Sequence, residues 1–211
     1  MTPVRDDVAR PVSTFEAAAR GCAALVHRIP PDAWDGPGLG DWDLRALVGH
    51  ASRSLVTVSG YLTTPAERED VATPQEYYAR IRAVASGEGA DAIVERGRKA
   101  GRDLGADPGR TFDVLVERVL ADLADAGNPL ITVIGGLGIR LHTYLPTRTF
   151  ELAVHGLDIA AATGLSFNPP PEVLEEAAVL AARIAVATGD GRRVLLSLTG
   201  RADLPPGFSV V

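Results

Sequence analysis

The chain has 211 residues, of which 46% are hydrophobic, a formal net charge of -6 and a single cysteine, Cys22. That length and apolar content can bury a core without disulfides or a structural metal, and a lone cysteine cannot form an internal disulfide. An acidic protein repels a phosphate backbone on average, charges or glycines interrupt every apolar stretch short of the roughly 20 residues a bilayer span needs, and the N-terminus lacks a basic-then-apolar leader, so nucleic acid and membrane are excluded as partners and a cytoplasmic location is expected.

Ser13-Thr14-Phe15-Glu16 is a capping-box pattern that predicts a first helix from Ser13 to about His27, stopped by Pro30 and Pro31. Trp34 to Trp42, with Gly36, Pro37, Gly38 and Gly40, reads as a loop pinned by two tryptophans. Asp43 then caps a second helix in which Leu44, Leu47, Val48, Ala51, Leu55 and Val58 form one apolar stripe, ending near Gly60. Thr73-Pro74-Gln75-Glu76 opens a third helix that runs to about Ser86. Gly87-Glu88-Gly89 breaks it, and the Arg-rich stretch from Asp91 to Leu104 resumes a helix with a solvated face.

Asp107-Pro108 opens the next helix, with Phe112, Leu115, Val116, Val119, Leu120 and Leu123 as its stripe and Gly127-Asn128-Pro129 as its end. Leu130 to Ile134 has the β-branched content of a strand but no evident partner, so it reads as a connector. Helix formers return from Leu141, with Pro146 placed in the first turn of a helix that continues to about Thr163 and ends at Gly164. Pro169 to Pro171 introduce a last long helix, Glu172 to Thr188, before Val194 to Leu198 and a Pro-Gly tail. The predicted fold class is all-α in the main.

Glu151 and His155 stand one turn apart on one helix face, a spacing that can chelate a metal. At about 100° per residue, Arg148, Glu151, His155 and Asp158 form one polar stripe, flanked by Leu152 and Ile159 on one side and Val154 and Leu157 on the other. Ala153, Gly156 and Ala160 fill the rest with small residues, so this helix is expected to be buried nearly all round. A buried carboxylate needs a compensating charge, and either a metal or Arg148 supplies it. The helix alone leaves both open. His50 lies at the edge of the second helix's stripe, in line with Ser54 and Thr57, where it can point into a bundle interior. A lone histidine there is more often a satisfied core residue.

Trp42-Asp43-Leu44-Arg45-Ala46-Leu47-Val48-Gly49-His50, followed downstream by Arg148-Thr149-Phe150-Glu151-Leu152-Ala153-Val154-His155-Gly156-Leu157-Asp158, resembles the metal-binding domain of the mycothiol-dependent maleylpyruvate isomerases. That family belongs to the DinB-like superfamily. The similarity extends over most of the chain, to Leu198-Thr199-Gly200-Arg201 and Leu204-Pro205-Pro206-Gly207. It implies a DinB-like four-helix bundle with additional short helices and loops, in which His50, Glu151 and His155 are ligands of one divalent metal, with zinc expected first. Three protein ligands plus an open position suit zinc catalysis, whereas a structural site normally fills all four.

The resemblance further implies an enzyme that uses a small-molecule thiol such as mycothiol, activated as its thiolate, for S-transfer or isomerase-like chemistry on a small electrophile. Arg148 is a candidate to orient Glu151 or an anionic ligand, and Asp158 to accept a proton from an imidazole. The isomerases carry a further C-terminal domain that contributes to their active site. Residues 1–211 are expected to form a single DinB-like metal-binding domain without it, which puts maleylpyruvate isomerisation itself in question. Two other readings stand beside this one: a non-catalytic metal- or ligand-binding protein on the same bundle, and a bundle in which Arg148, Glu151 and His155 only pair internally. Nickel, iron and cobalt would also accept two imidazoles and a carboxylate. The loops from Trp34 to Asp41 and from Asn128 to Arg140 are expected to set the choice of electrophile, with His142 read as a surface residue and Tyr144 as packing. Cys22 and His27 fall on different faces of the first helix and make no second site.

Overall fold

Residues 6–85 and 90–211 are described by the computed structural model of the chain. Five helices come first: α1 (Asp6–Val26), α2 (Leu44–Tyr61), α3 (Pro74–Ala85), α4 (Ala90–Asp103) and α5 (Pro108–Ala124). A hairpin of β1 (Leu130–Val133) and β2 (Leu137–Arg140) then leads into α6 (Leu141–Thr163), α7 (Pro171–Ala187) and α8 (Gly191–Leu198). Helices α1 and α2 each pack on both α5 and α6, which closes a four-helix ring around one core. Outside the ring, α4 lies along α2, and α7 touches α1, α3 and α6. The fold is mainly helical, as the sequence predicts.

Side-chain caps mark where several of these helices begin. The Asp43 carboxylate accepts the Ala46 N–H at 2.7 Å, and that of Asp107 accepts the Arg110 N–H at 3.0 Å with Pro108 in the first turn. At α3 the Thr73 hydroxyl accepts the Glu76 N–H, while the Glu76 carboxylate reaches back to the Ala72 N–H at 3.1 Å. The whole α2 stripe (Leu44, Leu47, Val48, Ala51, Leu55 and Val58) is buried, in one core cluster with Phe15 and Leu25 of α1, Phe112 and Val119 of α5, and Leu145 and Leu152 of α6. Each such large side chain contributes about 1.5–3 kcal/mol by leaving water. Cys22 is fully enclosed in this core, and burial pushes its thiol up to about 12.

Four expectations are corrected. Helix α1 is already formed at Asp6, so Ser13 lies inside it; its hydroxyl donates back to the Arg10 carbonyl at 3.1 Å, and Glu16 pairs forward with Arg20 at 2.8 Å. A hydroxyl that can cap a helix can equally bond to the preceding turn, so the motif did not fix the boundary. Leu130 to Val133 is a strand, not a connector, and its antiparallel partner follows at once, with Ile131 opposite Ile139. Gly135 and Gly136 turn the chain with φ of 76° and 71°, a region that side chains avoid.

A lone hairpin is marginal. This one is braced by the segment after α2: the Thr132 N–H donates to the Thr64 carbonyl at 2.7 Å, and the Asp70 carboxylate accepts the Gly138 N–H at 2.9 Å. Helix α6 starts at Leu141, which places Pro146 beyond its first turn; Asn128 Oδ1 receives the His142 N–H at 2.8 Å and closes the helix start earlier than expected. Gly164 ends α6 as expected. Leu157 is 46% exposed, so α6 is not buried all round. The segment Val194 to Leu198 belongs to the short helix α8. The expected break at Gly87-Glu88-Gly89, and Ser86 before it, lie outside the described residues.

Helices α2 and α4 meet backbone to backbone. A Cβ on Gly101 would stand 2.8 Å from the Arg45 carbonyl oxygen, and one on Gly49 would overlap the Gly101 backbone. This contact brings Trp42 onto α4, where its indole N–H donates to the Val94 carbonyl at 3.0 Å. Among the described residues, no helix is long and apolar enough to cross a membrane.

Candidate metal centre

Packing of α2 against α6 brings His50 to Glu151 and His155. Each of the three offers a ligand atom, and these atoms lie within 4.8 Å of one another. The two imidazoles face edge to plane, with centroids 4.9 Å apart and planes at 86°, and Trp42 covers His50 with its ring 4.5 Å away. Glu151 Oε2 stands 3.2 Å from His155 Nε2. Two atoms bound tetrahedrally to zinc at about 2.0–2.1 Å lie about 3.4 Å apart, so this pair is already spaced as ligands of one ion would be. His50 Nδ1 is buried without a hydrogen-bond partner among the described residues, a deficit that calls for a physical explanation. The donor set of two imidazoles and one carboxylate fits a divalent transition metal.

The neighbours fix the charges of these three side chains. Asp158 Oδ2 lies 3.0 Å from His155 Nδ1, so the imidazole sits between two carboxylates. Burial favours its neutral form, but the contacts with Asp158 and Glu151 outweigh burial and carry His155 up to about 9. Burial likewise opposes the Glu151 carboxylate, and is overcome by the hydrogen bond from His155 and the charge of Arg148, which bring it down to about 2. For His50, burial, then the charge of His155, outweigh the opposing charge of Glu151 and push it down to about 4. Without a cation, then, the cluster holds its proton on His155 and keeps His50 neutral.

Arg148 Nη2 approaches Glu151 Oε1 only to 3.9 Å. Its guanidinium instead rests on two rings, 4.9 Å from the centroid of Tyr144 and 5.6 Å from that of Tyr77. The closer partner of Glu151 Oε1 is the Tyr78 hydroxyl, which donates to it at 2.7 Å. Burial, then the charge of Glu151, hold the Tyr78 phenol well above its usual range, so it remains a donor.

A cavity of about 170 Å³ opens beside His50 and Glu151. Its wall takes Arg53 and Thr57 from α2, Tyr77 and Tyr78 from α3, Arg96 from α4, Ile134 from the hairpin turn, and Tyr144 and Arg148 from α6. Tyr144 is fully buried, its hydroxyl donating to Thr57 Oγ1 at 3.2 Å, yet it also lines this cavity. Sequence reasoning missed Tyr77, Tyr78 and Arg53. The tandem tyrosines at the start of α3 were the one available signal, since adjacent residues on a helix aim about 100° apart and both rings still find cover here. Among the described residues, the segment Trp34 to Asp41 gives the cavity no wall, and the hairpin contributes Ile134. His142 stays at the surface, and His27 pairs with Asp113 at 2.7 Å across the exposed seam of α1 and α5.

Residues 15–160 match the family model described as the mycothiol maleylpyruvate isomerase N-terminal domain. That span covers most of the chain and includes His50, Glu151, His155 and Asp158. The chain therefore belongs to this family, within the DinB-like superfamily, and its helical fold is the DinB-like one. Comparisons with curated proteins and with solved structures gave no match.

Proposed function

We propose that His50, Glu151 and His155 hold one divalent cation, zinc first, and that the chain works with a small-molecule thiol such as mycothiol in S-transfer or isomerase-like chemistry on a small electrophile. The observation that carries this reading is the three-residue cluster itself, with ligand atoms within 4.8 Å of one another beside a cavity of about 170 Å³. Membership of the family supports the choice of thiol. A dication bound there would favour the thiolate of an incoming thiol over its thiol form, whose ordinary pKa is about 8.5.

The chain's own groups have distinct parts in this. Asp158 holds the Nδ1–H of His155 and so turns the other ring nitrogen towards the cluster. Trp42 covers one face of His50 and keeps water from it. Arg148, steadied over Tyr77 and Tyr144, presents a fixed cation to negative charge that develops on an electrophile in the cavity. All of these groups are in place before a ligand arrives, which is the condition for efficient electrostatic catalysis.

The test is elemental mass spectrometry on protein purified without an affinity tag, for wild type, His50→Ala and His155→Ala. Near one zinc per chain in wild type, lost in both variants, is expected. A screen of electrophiles for mycothiol-dependent turnover then follows. Metal-free wild type that also resists added zinc would sink the proposal, and stoichiometric zinc with no thiol chemistry would favour a non-catalytic metal-binding protein on the same bundle.

A further inference from the structure

The two oxygens of Glu151 have different surroundings. Oε2 faces His155 Nε2 at 3.2 Å, on the side of the cluster. Oε1 accepts the Tyr78 hydroxyl at 2.7 Å, and Arg148 Nη2 stands 3.9 Å from the same atom. Tyr78 belongs to α3, which supplies none of the three clustered residues. Its hydroxyl reaches a second acceptor, the Thr147 carbonyl, at 3.1 Å. One hydroxyl hydrogen serves mainly the shorter and charged acceptor, because charge-assisted hydrogen bonds are about twice as strong as neutral ones.

Nor is the ring free to turn away. Tyr78 is 9% exposed and held edge-on by Phe150 at 5.5 Å and by Tyr77 at 5.6 Å. We infer that Tyr78 is the positioning residue of the centre: by occupying Oε1 it leaves Oε2 as the single Glu151 oxygen offered to a cation. A carboxylate bound through one oxygen takes one coordination position where a chelating carboxylate takes two. The cavity, which Tyr78 also lines, adjoins His50 and Glu151. Tyr78 acts through Glu151 and touches no reacting atom in this role. The inference rests on the proposal that His50, Glu151 and His155 bind a metal.

The experiment uses the full chain, wild type and Tyr78→Phe, loaded with zinc or with cobalt(II). Zinc affinity is read by competition with a chromophoric chelator, and coordination by the visible absorption of the cobalt form. Tyr78→Phe keeps the ring, and thermal unfolding checks its fold. Zinc binding about 10–100-fold weaker is expected, the usual effect of removing a ligand's hydrogen-bond partner. The cobalt bands should also weaken as Glu151 becomes free to chelate and coordination number rises.

Unchanged affinity overturns the role of Tyr78 while leaving the metal centre in place. Weaker affinity with the wild-type cobalt spectrum is what a merely structural role gives, and overturns it too. Wild type that takes up neither ion overturns the metal proposal and this inference together. A measurement on zinc-loaded wild type alone makes the inference independent of the variant's folding: isotope-edited infrared should give the wide carboxylate band separation of one-oxygen binding, and a narrow separation overturns the inference.

Discussion

Two histidine–aspartate contacts of similar length occupy different regions of the molecule. His27 Nε2 meets Asp113 Oδ2 at 2.7 Å between α1 and α5, and His155 Nδ1 meets Asp158 Oδ2 at 3.0 Å within α6. The shorter contact is the less constrained one: both of its side chains are 50% exposed, against 12% for His155 and 28% for Asp158. At the surface, water competes for both partners, and such pairs are worth about 0–1 kcal/mol. Inside the bundle the second nitrogen of His155 is also engaged, by Glu151, so the ring's position and its proton are both determined. Length alone therefore says little about what a polar contact does; burial and the occupation of the other ring nitrogen say more.

The comparison predicts its largest difference in metal retention. His155→Ala should remove the ion entirely while His27→Ala retains one per chain, as read by elemental analysis; loss in both would mean that the seam between α1 and α5 matters to the centre. Next in size is the effect of neutralising each aspartate. Asp158→Asn should weaken zinc binding about 10–100-fold in a chelator competition, while Asp113→Asn leaves it unchanged and alters thermal stability by less than about 1 kcal/mol.

A pH titration sharpens the contrast further. In the metal-free chain His155 is raised to about 9, whereas Glu151 is lowered to about 2 and His50 to about 4. Between about pH 5 and 8 only His155 must surrender a proton to a cation, so affinity should rise about tenfold per pH unit. Calorimetry in two buffers of different ionisation enthalpy should accordingly find about one proton released per ion; release of none would show that metal binding takes no proton from His155.

The smallest effect is on the stability of the metal-free protein. His155, raised above its unfolded value of 6.5, stabilises the fold fully below 6.5 and loses that contribution as pH rises through about 9. His50, depressed below 6.5, stabilises above 6.5 and loses its contribution as pH falls through about 4. The cluster's contribution should therefore peak near the shared unfolded value of 6.5, and thermal unfolding of metal-free wild type against a His50→Ala, His155→Ala double variant should show the difference narrowing on both sides.

What the sequence made legible follows from the range of the physics involved. Glu151, His155 and Asp158 could be placed on one face because helix geometry fixes that spacing, and Asp43, Asp107 and Gly164 were readable as helix ends because capping is local. That His50 meets α6 is a matter of how α2 packs, which no spacing within α2 encodes; the pairing of two distant motifs in a known family carried it. Tyr78 was illegible for the same reason, since its hydroxyl reaches Glu151 across 73 positions of sequence. Strand β1 was misread because Gly138 dilutes the signal of its partner, and the brace from Thr64 and Asp70 is remote. At Ser13 the local pattern was present and the longer helix overrode it.

The backbone contact of α2 with α4 also bears on how variation in this chain would be interpreted. Gly49 and Gly101 have no side chain to offer, yet a methyl group at either would force apart the two helices whose contact keeps Trp42 on His50. A map of mutational tolerance would thus flag positions 49 and 101 beside the three clustered residues themselves. Intolerance at those two glycines would record a shortage of room, and a survey that ranked positions by sensitivity alone would count them as chemistry.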